Sequence, residues 1–221
     1  MKTFSIGGVH PHDNKISANA AIESFPIPEV AYISMGQHLG APAEPIVAAG
    51  DKVKVGQLIA NANGFISAPV HSSVSGTVKG IEIIKDLAGN PCKAVVINVE
   101  GDEWVETIDR SEKIEKEIKL DSKEIIEKIK ECGIVGLGGA CFPTHVKLLP
   151  PPGKKAEVLI VNGVECEPYL TCDHQLMLEH GEEIIIGIQI LMKALGINRA
   201  IIGIEKNKPD AIDYMKQLAA K

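Results

Sequence analysis

The spacing of apolar residues changes near residue 110, and this change constrains the fold more than any other feature of the chain. Up to about residue 105, short apolar runs at 45–47, 57–60, 65–67 and 76–78 are separated by Gly, Pro, Asn and Asp. Such a pattern is typical of short strands joined by turns. Beyond residue 120, longer segments with helical periodicity alternate with short apolar runs. We therefore predict an α+β chain in two parts, with an all-β domain over residues 1–110 and an α/β domain over residues 111–221.

The turn residues of the first part indicate which β architecture it has. Gly50 and Gly56 flank a short extended piece, Pro69 stands where a strand begins, and Gly76 stands where one bends. This is the pattern of the barrel-sandwich hybrid found in biotinyl and lipoyl carrier domains, where a lysine at a hairpin tip bears the prosthetic group. The corresponding tip at 61–64 reads Asn-Ala-Asn-Gly and has no lysine. We predict a barrel-sandwich hybrid with a structural role and not a carrier role.

The second part carries clear helix and strand boundaries. Asp121 followed by Glu124 predicts a capping box, and Gly133 predicts the end of that first helix. Buried strands are predicted at about 158–161 and 200–204, and helices at 182–195 and 209–219. Their alternation predicts a Rossmann-like parallel sheet. The charge-rich segment 106–122 that precedes them is expected to be a solvated linker or an exposed helix.

Composition excludes several classes of function. The net charge is −6 and no basic stripe is present, so we expect no binding of nucleic acid. The longest apolar stretch, 184–195, is interrupted by Gln189 and Lys193 and is too short to span a bilayer. No signal peptide is visible at the start of the sequence. The five cysteines are dispersed and odd in number, which predicts reduced thiols in a cytosolic protein.

Two dense motifs in the second part carry the functional prediction. Residues 133–144 read Gly-Ile-Val-Gly-Leu-Gly-Gly-Ala-Cys-Phe-Pro-Thr, and residues 162–168 read Asn-Gly-Val-Glu-Cys-Glu-Pro. A glycine-rich loop lets backbone N–H groups approach a phosphate, because no Cβ obstructs them. Acidic and amide side chains beyond a strand can orient a ring or a ribose. Together the motifs predict a nucleotide or flavin site.

These residues resemble a known family. Residues 136–144 with Lys147, followed by 162–168, resemble the flavin-site signature of the flavoprotein subunit of respiratory complex I. Residues 4–12 and the Gly-Asp, Gly-Gln and Ser-Ala-Pro-Val-His segments of the first part resemble the N-terminal domain of the C subunit of the Rnf electron-transport complexes. The resemblance covers nearly the whole chain.

The resemblance implies a set of binding residues for FMN and NAD(H). Backbone N–H groups of the glycine-rich loop would line the phosphate, Lys147 would add positive charge, and polar residues of the second motif would bind the ring edge or ribose hydroxyls. Phe142 would stack on nicotinamide or isoalloxazine, although a core position is an equally good prediction. The complete set is Gly136, Gly138, Gly139, Ala140, Phe142, Lys147, Asn162, Glu165 and Glu167.

No catalytic residue and no metal ligand is predicted in this chain. Cys141, Cys166, Cys172 and His174 have a spacing that matches no zinc or cluster motif. Buried or half-buried thiols are the default expectation for such cysteines.

The resemblance also implies a function. The chain would be the N-terminal fragment of a peripheral subunit on the cytoplasmic face of the bacterial inner membrane, with the other subunits of the Rnf complex as partners. That subunit would pass electrons between NADH and ferredoxin through flavin and [4Fe-4S] clusters, the clusters lying in a C-terminal region that this sequence does not contain. Two alternatives are a docking module without catalytic activity and a soluble flavin-dependent NADH dehydrogenase component.

Overall fold

The computed structural model describes residues 11–86, 88–111 and 113–220. These residues form two compact units. The first unit comprises residues 25–156 and 194–196, and the second comprises the remaining described residues before 25 and after 156. The predicted domain boundary near residue 110 lies inside the first unit and stays a prediction about domain organisation.

The first unit contains two antiparallel sheets. One sheet has the strand order β1-β7-β6-β3, and the other has the order β2-β4-β5. The strands are β1 (Val30–Ser34), β2 (Glu44–Pro45), β3 (Lys52–Val53), β4 (Leu58–Asn61), β5 (Val70–His71), β6 (Gly76–Lys85) and β7 (Pro91–Val99).

The two sheets of the first unit enclose one apolar core. Strand β7 lies between β1 and β6, and its residues 94–97 are fully buried. Both sheets contribute to the core cluster, which confirms the all-β prediction for this part of the chain. Its buried members are Ile33, Met35, Ala43, Val53, Ile59, Ala60, Val70, Val78, Val95 and Ile97.

The strand predicted at 65–67 was wrong. This segment is hydrogen-bonded to a loop and not to another strand. The N–H of Ala41 donates to the carbonyl of Ile66 (3.0 Å). The hydroxyl of Ser67 donates in turn to the carbonyl of Ala41 (2.8 Å). Phe65 remains 70% exposed. The apolar run therefore folds as an irregular segment tied to residues near 41.

A capped helix follows the barrel. Helix α1 (Ser122–Glu131) begins at Asp121, whose carboxylate accepts the N–H groups of Lys123 and Glu124, while the Glu124 carboxylate accepts the N–H of Asp121. This confirms the predicted capping box. Residues 113–119 before the helix have no regular secondary structure, so the charged segment forms a linker and not a helix.

The second unit is built on two parallel strands. Strand β8 (Leu159–Gly163) pairs with β9 (Ala200–Ile204), and the helices are α3 (Cys172–Glu179), α4 (Gly181–Leu195) and α5 (Pro209–Ala219). The helices and strands predicted here are confirmed, including proline at the first turn of α5. Helix α3 was missed, because its apolar residues 176–178 are consecutive and lack helical spacing. No helix in the described part of the chain has the length and apolarity to cross a bilayer.

The prediction that both parallel strands are buried was wrong. The core of the second unit forms around Met177, Ala211, Met215 and Leu218, and Ile202 and Ile204 pack against it. On the opposite face, Ile160 is 69% exposed and Ile201 is 43% exposed. Within the described residues, helices therefore cover one face of this pair, and side chains that alternate along a strand divide into covered and exposed sets.

We expect Gly133→Ala to destabilise the protein more than Gly196→Ala. Both glycines follow a helix and have φ of +65°, but a Cβ on Gly133 would lie 2.3 Å from the carbonyl oxygen of Pro69, whereas one on Gly196 would meet no atom within 4 Å. The left-handed conformation costs an alanine about 1–2 kcal/mol at either position. The clash adds ~1–3 kcal/mol at Gly133 alone.

Urea unfolding of both variants and the unaltered protein measures this difference. Equal losses of unfolding free energy in the two variants would contradict the packing of Gly133 against Pro69.

Candidate cofactor-binding site

The glycine-rich motif forms a loop in the first unit, and backbone pairing holds the two ends of this loop together. Val135 and Pro143 form an antiparallel bridge at its base. Next to this bridge, the N–H of Gly136 donates to the carbonyl of Phe142 (3.0 Å). Helix α2 (Thr144–Lys147) starts directly after the bridge. The base is therefore fixed by backbone hydrogen bonds, and residues 137–141 form the tip.

The main chain at the tip is open. Gly138 and Gly139 are exposed, and a Cβ added to either would meet no atom within 4 Å. Gly139 has φ of +60° and Cys141 has φ of +50°, so the chain turns sharply here. The carbonyl of Ala140 accepts the N–H of Leu39 (3.1 Å), which fixes the far side of the tip. Backbone N–H groups in such a turn can approach an anion.

Lys147 places a positive charge beside this loop. Its Nζ lies 3.0 Å from the point where a Cβ on Gly136 would stand. The residue ends α2 and is exposed to solvent. Phe142 is half-buried, and its main chain pairs with Gly136 at the base of the loop. The loop therefore has an open tip and an ammonium group beside Gly136 at its base.

The acidic motif lies in the second unit, between the carboxyl end of β8 and the start of α3. Asn162 is exposed, and its Oδ1 accepts the N–H of Val164 (3.1 Å). Its side-chain NH₂ group keeps both of its donors for other partners. Asn162 therefore turns the chain at the strand end and still presents hydrogen-bond donors.

Glu165 and Glu167 differ sharply in their surroundings. Glu165 is 2% exposed, and its carboxylate accepts the N–H of Asp173 (2.7 Å) and the thiol of Cys172 (3.3 Å), with the N–H of His174 at 3.4 Å. Thr171, the residue at the N-cap of α3, makes no side-chain capping bond, so Glu165 caps this helix in its place. Glu167 is exposed. The structure thus gives Glu165 a capping role that the sequence did not suggest.

Hydrogen bonding keeps Glu165 ionised despite its burial. Burial alone would raise the pKa of this carboxyl, but the N–H of Asp173, the Cys172 thiol, the N–H of His174 and the charge of Lys15 together hold its pKa below the ordinary value. Desolvation and the neighbouring Glu165 raise the pKa of the Cys172 thiol, which keeps its proton and donates. Desolvation and the two glutamates also raise the pKa of Asp173.

The same group of side chains is compact enough to suggest a metal site. The ligand atoms of Glu165, Cys172 and Asp173 all lie within 4.8 Å of one another. The Glu165 oxygens already accept hydrogen bonds from the start of α3, and one of these donors is the Cys172 thiol itself. The helix cap accounts for this cluster without an ion.

Two lysines that the sequence analysis did not select contact the backbone of the acidic loop. Lys208 is 4% exposed, and its Nζ donates to the Glu205 carboxylate (2.5 Å) and contacts the Glu165 carbonyl (3.3 Å). Lys15 donates to backbone carbonyls of the loop. Neither lysine lies in a motif, and Lys15 is 150 residues from Glu165 in sequence.

The sequence-predicted residues thus fall into two groups. Gly136, Gly138, Gly139, Ala140, Phe142 and Lys147 lie together in the first unit, and Asn162, Glu165 and Glu167 lie together in the second. A single ligand shared by both groups stays a prediction.

We expect Glu165→Gln to lower the free energy of unfolding by about 1–3 kcal/mol at neutral pH, because a buried hydrogen-bonded carboxylate is lost. Glu167→Gln is the matched control, and as an exposed change it should stay within ~0.5 kcal/mol. Since the folded pKa of Glu165 lies below its unfolded value, its contribution is fully present above the unfolded pKa. It is lost as the pH falls through the folded pKa.

Urea unfolding of both variants between neutral and acidic pH measures these effects. A Glu165→Gln loss that did not shrink on acidification would argue against the ionised cap.

Comparison with known families supports the motifs. Residues 2–102 match the family model described as the RnfC barrel sandwich hybrid domain, and residues 129–221 match the one described as the Nuo51 FMN-binding domain. The barrel predicted from turn residues is therefore confirmed at the level of the family, as is the assignment of the second part to a flavin-binding family.

Individual relatives agree with both matches. The chain is 49% identical over 219 residues to the C subunit of the proton-translocating ferredoxin:NAD⁺ oxidoreductase complex of Clostridium ljungdahlii, covering 98% of this chain and 47% of the relative. It is 44% identical over 211 residues to the C subunit of the Na⁺-translocating complex of Acetobacterium woodii, covering 95% and 47%. The C subunit of the ion-translocating oxidoreductase complex of Rhodobacter capsulatus is 41% identical over 220 residues, covering 97% and 42%.

The chain spans about half the length of these curated relatives. Two adjacent domain matches and this identity over almost every residue agree with the resemblance found in the motifs. The chain therefore contains an RnfC barrel sandwich hybrid domain followed by a Nuo51 FMN-binding domain, and over almost its whole length it is similar to the C subunits of these complexes.

Proposed function

We propose that this chain forms the FMN-binding part of a peripheral subunit that passes electrons between NADH and ferredoxin in a membrane-bound, ion-translocating complex. The observation that carries the proposal is the open main chain at Gly138 and Gly139, in a loop whose base carries the Lys147 ammonium beside Gly136, within a segment that matches an FMN-binding family. The names of the relatives in Clostridium ljungdahlii and Acetobacterium woodii supply the NAD⁺, ferredoxin and ion-translocation parts of the proposal.

The glycine-rich loop would hold the phosphate end of the cofactor. Backbone N–H groups at Gly138, Gly139 and Ala140 offer hydrogen bonds, whereas the Gly136 N–H is already used on the Phe142 carbonyl, and Lys147 offers a compact positive charge. The fixed base of the loop means that little ordering is needed when an anion binds, which favours affinity. Phe142 follows the tip and is half-buried, and its ring would stack on a planar ligand.

The acidic loop would bind hydroxyl and ring-edge groups. The parallel pair β8–β9 supports a Rossmann-like sheet, in which ligands lie beyond the carboxyl ends of the strands. Asn162 stands at that end of β8 and presents an NH₂ group, and the exposed Glu167 carboxylate presents acceptors. Glu165 would act indirectly, by fixing the loop against α3 through the hydrogen bonds that cap this helix.

The chemistry itself would come from the cofactors. FMN, when bound, can exchange a hydride with NADH on one side and single electrons on the other. The residues of this chain would bind the phosphate and orient the ring. Onward transfer would use [4Fe-4S] clusters in the additional sequence of the longer relatives, and the subunit would lie on the cytoplasmic face of the membrane.

A docking module without cofactor is the second candidate function. The barrel in the first unit has a complete buried core of its own and no lysine at the tip where carriers attach their group. The two candidates differ in a measurable way, because only the first predicts that the chain binds FMN. Titration with FMN, followed by flavin fluorescence and melting temperature, separates them, and an unchanged signal favours the docking module.

We expect Gly138→Val to reduce flavin binding at least about tenfold, since a branched side chain on open main chain blocks the approach of a phosphate. Gly80→Val is the matched control, because a Cβ at Gly80 also meets no atom within 4 Å and strand β6 favours valine. Both variants should keep their folded circular dichroism spectra.

Flavin content and the dissociation constant for FMN should be measured for both variants, in this chain and in a longer protein that contains it. Equal flavin content in Gly138→Val and Gly80→Val would remove the loop from the proposed site.

We further expect Lys147→Met to weaken FMN binding and to leave riboflavin binding unchanged, because riboflavin lacks the phosphate. Lys155→Met, which removes an exposed lysine outside the motif, is the control. An equal loss of affinity for both flavins would place Lys147 away from the phosphate.

A further inference from the structure

An N-terminal segment of the second unit lies along the acidic loop and the helix that follows it. Within residues 11–24, the carbonyl of Asp13 accepts the N–H of Tyr169 (2.8 Å), and the hydroxyls of Ser17 and Thr171 lie 2.8 Å apart. Further along, the N–H of Ile22 donates to the Glu179 carboxylate (2.9 Å). The segment therefore contacts the loop and both ends of α3.

Lys15 makes the most concentrated of these contacts. Its Nζ donates to the backbone carbonyls of Glu165 (2.9 Å), Glu167 (2.8 Å) and Leu170 (2.6 Å). An ammonium group has three N–H donors, so three carbonyls use all of them. Three carbonyl oxygens that converge on one point repel one another unless a cation lies between them. The backbone of the loop is thus folded around the lysine.

We propose that Lys15 is the positioning residue of the acidic loop, an internal cation that holds residues 165–170 in the one arrangement that buries Glu165 and exposes Glu167. The proposal rests on the proposed function, in which Glu167 and Asn162 face the ligand. Lys15 would then set the affinity of this loop for its ligand without touching the ligand.

The loop contains a strained residue that needs such support. Tyr169 has φ of +70°, a conformation that non-glycine residues rarely adopt. Strained backbone of this kind persists only where its surroundings fix it. Here the Asp13 carbonyl accepts the Tyr169 N–H, and Lys15 donates to the carbonyl of the following residue, Leu170. The two contacts come from neighbouring residues of one segment and act on the same turn.

Electrostatics give Lys15 a second role in the same place. The loop and the start of α3 carry the acidic residues Glu165, Glu167 and Asp173 within nine positions. Lys208 contacts the Glu165 carbonyl from another side but is also paired with Glu205. The hydrogen bonds of Lys15 to the loop all go to backbone carbonyls, so its charge is not paired with a carboxylate there and helps to stabilise the Glu165 carboxylate. Removing it would leave carbonyls and carboxylates facing one another.

Amide hydrogen exchange of Lys15→Ala tests the proposal without any cofactor. The amides of Tyr169, Asp173 and His174 report on the loop, because they donate to Asp13 and Glu165. We expect their exchange to accelerate about tenfold or more, whereas amides inside α5 keep their rates. Lys206→Ala is the matched control, because Lys206 is an exposed lysine of the same unit. It should leave the loop amides unchanged.

Chemical rescue distinguishes positioning by hydrogen bonds from a general effect of charge. Ethylammonium added to Lys15→Ala should restore protection of the loop amides, since it supplies three N–H donors on a small cation. Tetramethylammonium carries the same charge but has no donor, and it should not restore protection. Unchanged loop exchange in Lys15→Ala, or equal rescue by both cations, would overturn the proposal. So would acceleration spread evenly over α5, because that would mean general unfolding.

Ligand binding then separates this proposal from the proposed function. If the loop positions Glu167, Lys15→Ala should weaken FMN or NADH binding, and ethylammonium should restore it. If the unaltered protein binds neither ligand while the exchange results hold, the proposed function fails and the positioning role of Lys15 stands.

Discussion

The need to satisfy a buried carboxylate determines the structure around the acidic motif. An ionised group that is removed from water costs several kcal/mol unless donors replace the lost solvent. Glu165 meets this need with two N–H groups and a thiol from the start of α3, and its own carbonyl contacts Lys15 and Lys208. One residue therefore links the strand end, the helix and the N-terminal segment.

In the proposed function, the two motifs would recognise different chemical groups by different physical means. The glycine-rich loop leaves main chain open and fixes its base through the Val135–Pro143 bridge, which suits an anion that accepts many hydrogen bonds. The acidic loop is instead crowded with side chains and held by lysine, which suits hydroxyl groups that need directed acceptors. Binding of a phosphate would depend on access to the main-chain N–H groups, whereas binding of hydroxyl groups would depend on the orientation of the side-chain acceptors.

Features set by adjacent residues could be predicted from the sequence, and features set by distant residues could not. The capping box at Asp121, the turn at Gly133 and proline at the start of α5 each depend on a few neighbouring positions, and each was predicted. The surroundings of Glu165 include Lys15, which donates to its carbonyl and is 150 residues away. The exposure of Ile160 depends on which elements cover the sheet, and no local pattern encodes that. The motif identified the loop, but tertiary contacts assign the separate roles of its residues.

The Glu-Cys-Glu sequence shows how a fold can give two identical side chains different roles. Glu165 is committed to α3, so its carboxylate cannot also turn toward a ligand without exposing the N–H groups that it caps. Glu167 has no such commitment and lies at the surface. Asn162 uses its oxygen on Val164, and its NH₂ group has no hydrogen-bond partner among the residues that the structure describes. In the proposed function the loop would therefore offer one acceptor residue and one donor residue, a combination that suits a ribose or the imide edge of a flavin ring.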